Sequence, residues 1–278
     1  AVGTWDNVGG GDGGYCAINP TSPSRQYSES QFLNIYKTTN SWGSSSGIGP
    51  SYGGDSVAFI APFVLDPNNP NLLYAGTNYL YRYTDSTNTW ATRLGATALT
   101  TGTIRAIAVA PGDSNRIYTG ASDGQVWMSS NAGTSWTQIN SGSPSLPNRT
   151  VTSISINPTN KDDILITVSG TGTGHVYRCI NTLAVTRVWQ NLSGSLATGL
   201  PDVPVNSLAR DLTNPQTMWY VATDVGVFAT GDAGATWANA TAPMGLPNTQ
   251  VNDLKAVPGT GRLVAATYGR GMWSIQLS

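Results

Sequence analysis

Ser129-Ser130-Asn131-Ala132-Gly133-Thr134-Ser135-Trp136 decides the fold, because it returns in altered form as Thr230-Gly231-Asp232-Ala233-Gly234-Ala235-Thr236-Trp237. Both stretches read Ser/Thr-x-Asx-x-Gly-x-Ser/Thr-Trp. The Asx side chain can accept hydrogen bonds from nearby main-chain N–H groups, and the glycine can adopt the positive φ that a tight turn requires. The tryptophan then begins a strand and covers the turn with its apolar face. The chain is therefore predicted to contain copies of one hairpin-bearing unit.

That unit occurs six times in the 278 residues. Each copy has an apolar first strand, a polar turn, a second strand, a third strand with an aromatic residue, and a fourth strand. The position after the first strand recurs about every 44 to 54 residues, at Pro20, Pro67, Pro111, Pro158, Leu212 and Pro258. Such a repeat is typical of a propeller blade. The sequence predicts an all-β, single-domain β-propeller over residues 1–278 with six four-stranded blades, whose repeats start near 15, 58, 104, 151, 205 and 251.

The sixth unit stops one strand short. We expect the segment Thr4–Val8 to supply that strand, so that the last blade is completed by the N-terminal strand and no sheet edge is left exposed. Because Gly3-Thr4-Trp5 looks like the tail of the octapeptide, we also expect a processed or trimmed N-terminus. The alternative is that the chain is a fragment of a larger propeller.

Composition restricts the function classes. Charged residues make up 10% of the chain and the net charge is −1, against a usual charged fraction of about a quarter. Without a Lys/Arg run we expect no nucleic-acid partner, and without a long apolar run we expect no membrane insertion. The lysine-poor, Thr/Asn/Gly-rich composition favours an extracellular or cell-surface protein. We expect no cofactor and no metal site.

The octapeptides resemble the Asp-box, or BNR, repeat of sialidases, sortilin-type receptors and xyloglucanase-type glycoside hydrolases. Degenerate copies are Thr38-Thr39-Asn40-Ser41-Trp42 and Asp85-Ser86-Thr87-Asn88-Thr89-Trp90. The resemblance implies a propeller fold and says little about function, because the box lies on a hairpin away from the usual ligand face. Sialidase chemistry is set aside, since Glu29 and the scattered arginines lack the surrounding motifs of that family.

The xyloglucanase resemblance also implies a catalytic residue. Those enzymes carry a catalytic aspartate in a Thr-Asp-Ile-Gly turn, and Thr223-Asp224-Val225-Gly226 is similar to it. Asp224 is therefore the catalytic candidate if the protein is an enzyme, and otherwise a turn residue whose carboxylate bonds its own backbone. Glycoside hydrolysis needs a second carboxyl group about 5–10 Å away. The candidates for that second group are Asp55, Asp123, Asp202 and Asp253.

A ligand is expected on the propeller face that carries the connections between second and third strands. Amides beside aromatic rings suit stacking and hydrogen bonding to a sugar or an extended polar chain. Arg270 lies between two glycines that would let it point at the axis, or else it pairs with Asp224 or Asp253 to close the last blade. The candidate ligand-binding residues are Gln31, Asn34, Asn78, Tyr79, Asp123, Tyr268 and Arg270.

Three further residues are interpreted as structural. The single histidine, His175, is predicted to occupy an exposed strand position. Cys16 and Cys179 are predicted to be small buried hydrophobes on distant blades, so a disulfide is not expected.

The sequence thus favours a secreted or surface, non-catalytic binding or scaffold propeller with a carbohydrate or protein ligand. The first alternative is a glycoside hydrolase of the xyloglucanase type, or a fragment of one. The second is a structural subunit of an extracellular assembly, in which copies of the chain self-assemble.

Overall fold

The computed structural model describes residues 7–142, 144–195 and 197–277, and these form a six-bladed β-propeller. Within them, five sheets have four antiparallel strands and the last has three. The only helical element in this part of the chain is the single turn Gln31–Leu33. No helix among the described residues is long and apolar enough to cross a membrane.

Each blade is built from consecutive strands of the chain. Blade 1 consists of Cys16–Ile18, Gln26–Glu29, Ile35–Thr38 and Ser46–Gly47. Blade 2 consists of Phe63–Leu65, Leu72–Gly76, Leu80–Thr84 and Thr89–Trp90. Blade 3 consists of Ile104–Ala110, Asp113–Ala121, Val126–Ser129 and Thr137–Gln138. Blade 4 consists of Val151–Asn157, Asn160–Val168, Val176–Cys179 and Gln190–Asn191. Blade 5 consists of Val205–Arg210, Trp219–Thr223, Gly226–Thr230 and Ala238–Asn239. Blade 6 consists of Val251–Val257, Arg262–Thr267 and Gly271–Gln276.

The blades surround a common axis. The first strands of successive blades contact one another, and five apolar clusters each lie between two neighbouring blades. Tyr15, just before blade 1, is within electrostatic range of Arg105 in blade 3 and Asp253 in blade 6. Burial, and then the Asp253 carboxylate, raise the pKa of Tyr15 to about 12. Residues this distant in sequence therefore face the same central space.

The two octapeptide turns have the hydrogen bonds that their residue types predict. The Asn131 carboxamide oxygen accepts the Ser135 N–H at 2.9 Å, and the Asp232 carboxylate accepts the Thr236 N–H at 2.9 Å. Gly133 and Gly234 both have φ of +85°. The Thr236 hydroxyl and N–H groups lower the pKa of Asp232 to about 2.

The turn of blade 1 corrects the sequence interpretation of Trp42. The main-chain N–H of Trp42 donates to the Thr38 hydroxyl at 3.0 Å, and Trp42 has φ of +71°. Trp42 therefore occupies the position that glycine holds in the octapeptide. Ser45 stands where the octapeptide has its tryptophan, and the fourth strand begins at the next residue, Ser46. The Trp42 indole instead bonds the Gln26 side chain at 2.6 Å. The sequence interpretation took Trp42 for the tryptophan of the repeat. Trp42 instead occupies the position with positive φ, where glycine is normally found.

The outer-strand tryptophans join successive blades. At four junctions the indole N–H donates to a main-chain carbonyl that follows the fourth strand of the preceding blade. The pairs are Trp90 with Ile48, Trp136 with Leu94 at 3.0 Å, Trp189 with Ile139 at 2.8 Å and Trp237 with Leu192 at 2.8 Å. One side chain thus both fills the space between blades and satisfies a carbonyl there.

The last blade differs from the others. Its third strand, Gly271–Gln276, has no fourth strand beside it within the described residues. The expected closing segment Thr4–Val8 lies largely outside them, since residues 1–6 are not described. Asn7 and Val8 are described; they are exposed and belong to no strand.

Candidate functional site

Every predicted ligand-binding residue lies at one end of the ring, here named the loop face. It consists of the connections between second and third strands together with the connections between blades. Asn34, Asp224, Tyr268 and Arg270 are exposed there. Gln31, Asn78, Tyr79 and Asp123 are half-buried. Their role in binding stays a prediction, but their grouping at one end follows directly from the strand register.

An exposed aromatic pair, which sequence reasoning missed, lies on the loop face between blades 1 and 2. Phe32 and Phe59 are 48% and 50% exposed, and their rings meet edge to face with centroids 5.3 Å apart. Phe32 and Leu33 both have left-handed backbone, with φ of +58° and +57°. That conformation is costly for residues with a β-carbon and is typical of functional sites. A signal existed, since both phenylalanines stand in segments between predicted strands, where little core is available.

Polar, uncharged side chains lie beside Phe32. The Asn34 amide donates to the Ser30 hydroxyl and to the Tyr36 hydroxyl, both at 3.1 Å. The Tyr52 hydroxyl donates to the Phe32 carbonyl at 3.2 Å. These bonds fix the amide and the left-handed turn in place, so the rings and their polar rim form a preorganised surface.

Glu29, the only glutamate of the chain, fixes the segments beneath the rings. Its carboxylate accepts the N–H groups of Leu33 at 3.2 Å, Ala61 at 3.1 Å and Tyr15 at 3.2 Å. Glu29 is 4% exposed. Burial raises the pKa of Glu29, and the three N–H donors offset only part of that effect. One side chain therefore joins the turn that carries Phe32, the segment that carries Phe59 and the start of blade 1.

We expect Glu29→Gln to lower the free energy of unfolding by about 1–2 kcal/mol at pH 7, because its amide NH₂ would face a backbone donor. The pH dependence should also change. Since the folded pKa lies above the unfolded value of about 4.3, the parent protein loses stability as the pH rises from that value through the folded pKa. Urea unfolding from pH 4 to pH 8 measures both effects. Unchanged stability and an unchanged pH profile in the variant would contradict this role.

Asn78 and Tyr79 belong to a second cluster on the loop face, in which most polar side chains form hydrogen bonds or ion pairs within the protein. The Arg93 guanidinium lies over the Tyr79 ring, 4.2 Å from its centroid, and forms an ion pair with Asp55. The Tyr81 hydroxyl also donates to Asp55, at 2.5 Å. The Asn78 carboxamide oxygen accepts an N–H group from the same connection. This cluster ties the connection between blades 1 and 2 to blade 2.

The two candidate aspartates have different surroundings. Asp123 accepts the Thr101 N–H at 3.2 Å, the Thr101 hydroxyl at 3.0 Å and the Gln125 amide at 3.2 Å. Burial alone would raise the pKa of Asp123, but these and neighbouring hydrogen bonds outweigh it and hold the pKa below its ordinary value. Asp224 is exposed and accepts the Asn206 amide at 2.9 Å. Asp123 is thus engaged by its turn and by the connection between blades 2 and 3, whereas Asp224 keeps an accessible carboxylate.

Arg270 and Tyr268 are both exposed on the loop face. Tyr268 is 70% exposed. In the described part of the chain Arg270 forms no ion pair, so the interpretation that it pairs with Asp224 or Asp253 is wrong there. Asp253 instead accepts the Ser207 hydroxyl at 2.6 Å and lies 3.5 Å from the Lys255 ammonium. The Arg270 side chain is therefore exposed and has no charged partner among residues 7–142, 144–195 and 197–277.

Two structural interpretations from the sequence are wrong. His175 is 2% exposed rather than exposed, because its ring packs inward and its Nε2 lies 3.1 Å from the Asp202 carboxylate. Cys16 is exposed at the start of a short first strand, whereas Cys179 is buried as expected; both are free thiols. Over residues 7–142, 144–195 and 197–277, no group of three or more His, Cys, Asp or Glu side chains is placed to hold a metal ion.

Comparison with known proteins gives structural likeness without a family. No family model and no curated protein matches the chain. An ancestral GH74 enzyme has a TM-score of 0.70 at 21% identity, over 99% of this chain and 38% of that one. A GH74 enzyme from Niastella koreensis has a TM-score of 0.51 at 18% identity, over 94% of this chain and 49% of that one.

A third solved structure comes from a different functional class. The extracellular domain of a hybrid two-component system from B. thetaiotaomicron has a TM-score of 0.67 at 16% identity, over 95% of this chain and 31% of that one. The chain thus spans between 31% and 49% of the length of these three proteins. At such identities the likeness shows the fold alone, and a fold does not fix a function.

Proposed function

We propose that the protein is an extracellular, non-catalytic binding module whose loop face binds a neutral carbohydrate. The observation that carries the proposal is the half-exposed Phe32–Phe59 pair, held by left-handed backbone and by the buried Glu29 carboxylate. Two adjacent exposed aromatic rings offer an apolar surface against which a ligand can pack. An extracellular setting is supported by the solved neighbour that is itself an extracellular domain.

Chemistry favours a neutral sugar over a charged ligand. Aromatic rings offer a flat apolar face, which suits the C–H face of a pyranose, and amides and hydroxyls suit its hydroxyl groups. Around the pair these polar groups come from Gln31, Asn34 and Tyr52, which carry no charge. The Glu29 carboxylate beneath the rings is buried and engaged by three N–H donors.

A glycoside hydrolase remains the second candidate, favoured by the exposure of Asp224 and by the likeness to GH74 enzymes across most of the chain. Such an enzyme needs two carboxyl groups about 5–10 Å apart. Asp224→Asn separates the two readings. A binding module keeps its glycan affinity and releases no reducing sugar in either form, whereas an enzyme releases reducing sugar only with Asp224 intact.

Phe32→Ala is expected to weaken glycan binding about tenfold, the equivalent of roughly 1.4 kcal/mol of lost ring contact. A glycan array identifies the ligand, and titration calorimetry measures the affinity of parent and variant. Phe59→Ala should act in the same direction. The matched control is Ile18→Ala, which removes an apolar side chain that is 59% exposed at the opposite end of the ring. Equal affinity in all four proteins would refute the proposal.

A further inference from the structure

Four blades share an irregularity at the loop-face end of their innermost strand. In blades 3, 4, 5 and 6 the pairing between the first and second strands skips one residue, which makes a β-bulge. The skipped residues are Arg105, Thr152, Asn206 and Asn252. All four are polar, and because the first strands contact one another around the axis, the bulges lie at the centre of the loop face. A β-bulge re-aims a side chain and is common beside binding sites.

Two of the bulged side chains bond the next blade. The Thr152 hydroxyl donates to the Val205 carbonyl at 2.6 Å, and the Asn206 amide donates to the Val251 carbonyl at 3.0 Å. Each carbonyl belongs to the first residue of the following innermost strand. These two side chains therefore hold neighbouring blades together at the axis.

Arg105 is placed differently. Its side chain turns back toward the connection between blades 1 and 2, where its Nη1 donates to the Ile60 carbonyl at 3.5 Å, a long and weak hydrogen bond. Arg105 is half-buried, and in the described part of the chain it forms no ion pair. Ile60 directly follows Phe59 in the sequence. The Arg105 guanidinium thus lies one residue from the aromatic pair and reaches it from the side of the axis.

Tyr15 lies in the same central space. Burial raises the pKa of its hydroxyl to about 12, so the hydroxyl stays protonated at neutral pH and can donate a hydrogen bond. Tyr15 is within electrostatic range of Arg105 and of the Asp253 carboxylate. Its main-chain N–H donates to the Glu29 carboxylate, which also holds the turn that carries Phe32. The centre of the loop face therefore brings a guanidinium, a phenol and a carboxylate together beside the aromatic pair.

This mixture of groups suits an uncharged unit that carries hydroxyl groups. A hydroxyl both donates and accepts hydrogen bonds, so one can accept from Arg105 or Tyr15 while another donates to Asp253. An anion would meet the Asp253 carboxylate and a cation would meet the Arg105 guanidinium, and like charges placed together are unfavourable. The aromatic pair thus offers a flat apolar surface, and the centre of the loop face offers directed hydrogen bonds.

We propose that the ligand is an oligosaccharide, with one sugar unit on the Phe32–Phe59 pair and the next over the centre of the loop face, where Arg105 and Tyr15 bond its hydroxyl groups. This second sugar position rests on the proposed function, to which it adds a minimum length of two units and a direction from the aromatic pair toward the axis. Arg105 is then a specificity-determining residue, which contacts the second unit and not the first.

A ligand-length series tests the second sugar position. Calorimetry gives the affinity of each protein for the mono- and disaccharide of the glycan selected on the array. In the parent protein the disaccharide should bind about tenfold more tightly than the monosaccharide. Arg105→Met should lose that gain and bind the monosaccharide as the parent does. The matched control is Arg149→Met, which removes an exposed arginine of the loop face that bonds the Thr171 carbonyl in blade 4, and it should bind both ligands as the parent does.

Tyr15→Phe is the second variant, because it removes one hydroxyl and keeps the ring. It should weaken the disaccharide about threefold and leave the monosaccharide unchanged. A disaccharide gain that survives in both variants, or loss of monosaccharide binding in Arg105→Met with an unchanged circular dichroism spectrum, would overturn the second sugar position. So would a uronate-bearing disaccharide that binds more tightly than the neutral one.

The two proposals fail in different ways. If Phe32→Ala binds both ligands as the parent does, the proposed function itself is refuted. If Phe32→Ala weakens both ligands while Arg105→Met and Tyr15→Phe change neither, the aromatic pair binds a sugar and only the second position is refuted.

Discussion

Asp163→Ala should lower the free energy of unfolding by about 3–5 kcal/mol, because it strands a buried positive charge. Asp163 accepts two hydrogen bonds from Arg178, at 2.9 and 2.7 Å, and one from Arg210 at 3.2 Å. The side chains of Asp163 and Arg210 are each 2% exposed. Burial lowers the pKa of Arg210 to about 10 even with the carboxylate present. Without Asp163, that guanidinium has no counter-charge between blades 4 and 5.

Urea unfolding of the parent and Asp163→Ala proteins at pH 7 measures this effect. Asp113→Ala is the control, because it breaks the more exposed ion pair with Lys161, for which we expect a loss of no more than about 1 kcal/mol. Burial alone would raise the pKa of Asp163, but Arg178, Arg210 and the Asn157 amide together outweigh it and hold the pKa below its ordinary value. The contribution of the Asp163 carboxylate to the free energy of unfolding is therefore complete above about pH 4 and lost as the pH falls through the folded pKa. Equal destabilisation by the two variants would contradict the buried network.

Trp189→Ala should cost about 3–5 kcal/mol, the usual result of truncating a buried tryptophan. Its side chain is 1% exposed and packs between blades 3 and 4, and its indole donates to the Ile139 carbonyl at 2.8 Å. Truncation would remove the apolar filling and leave that carbonyl unpaired.

Trp189→Phe separates the two losses, because it keeps much of the ring and removes only the donor, at a cost of about 1–2 kcal/mol. Thermal unfolding followed by circular dichroism gives both values. A loss below 1 kcal/mol for Trp189→Ala would show that the outer-strand tryptophans do not join the blades.

The repeat could be predicted from the sequence because its signals are local. Turn residues such as Asn131 and Gly133, and the tryptophans after them, repeat with the blade period, and six sheets follow. Trp42 was misassigned because hydrogen bonding to Thr38 and left-handed backbone, rather than spacing to a tryptophan, define the turn. The burial of His175 could not be predicted because its surroundings form only on folding; its Nε2, for example, contacts Asp202 in the connection between blades 4 and 5.

The candidate site could be predicted only in part, because some of its contacts join segments that are distant in the sequence. Asn34, Asp224 and Arg270 all lie in connections between second and third strands. Because successive strands run in opposite directions, these connections fall at one end of the ring. The Phe32–Phe59 pair depends instead on two connections that meet only after blades 1 and 2 have packed. Its support, the Glu29 carboxylate, is likewise a contact between three separate segments. No pattern within a single segment carries that information.

Hydrogen exchange with and without the glycan selected on the array tests the central proposal most directly. Saturating ligand should slow amide exchange in residues 30–36 and 57–61, which carry Phe32 and Phe59, and leave residues 211–214 at the opposite end unchanged. Protection confined to residues 211–214, or no protection in the two phenylalanine segments despite saturation, would contradict binding at the loop face.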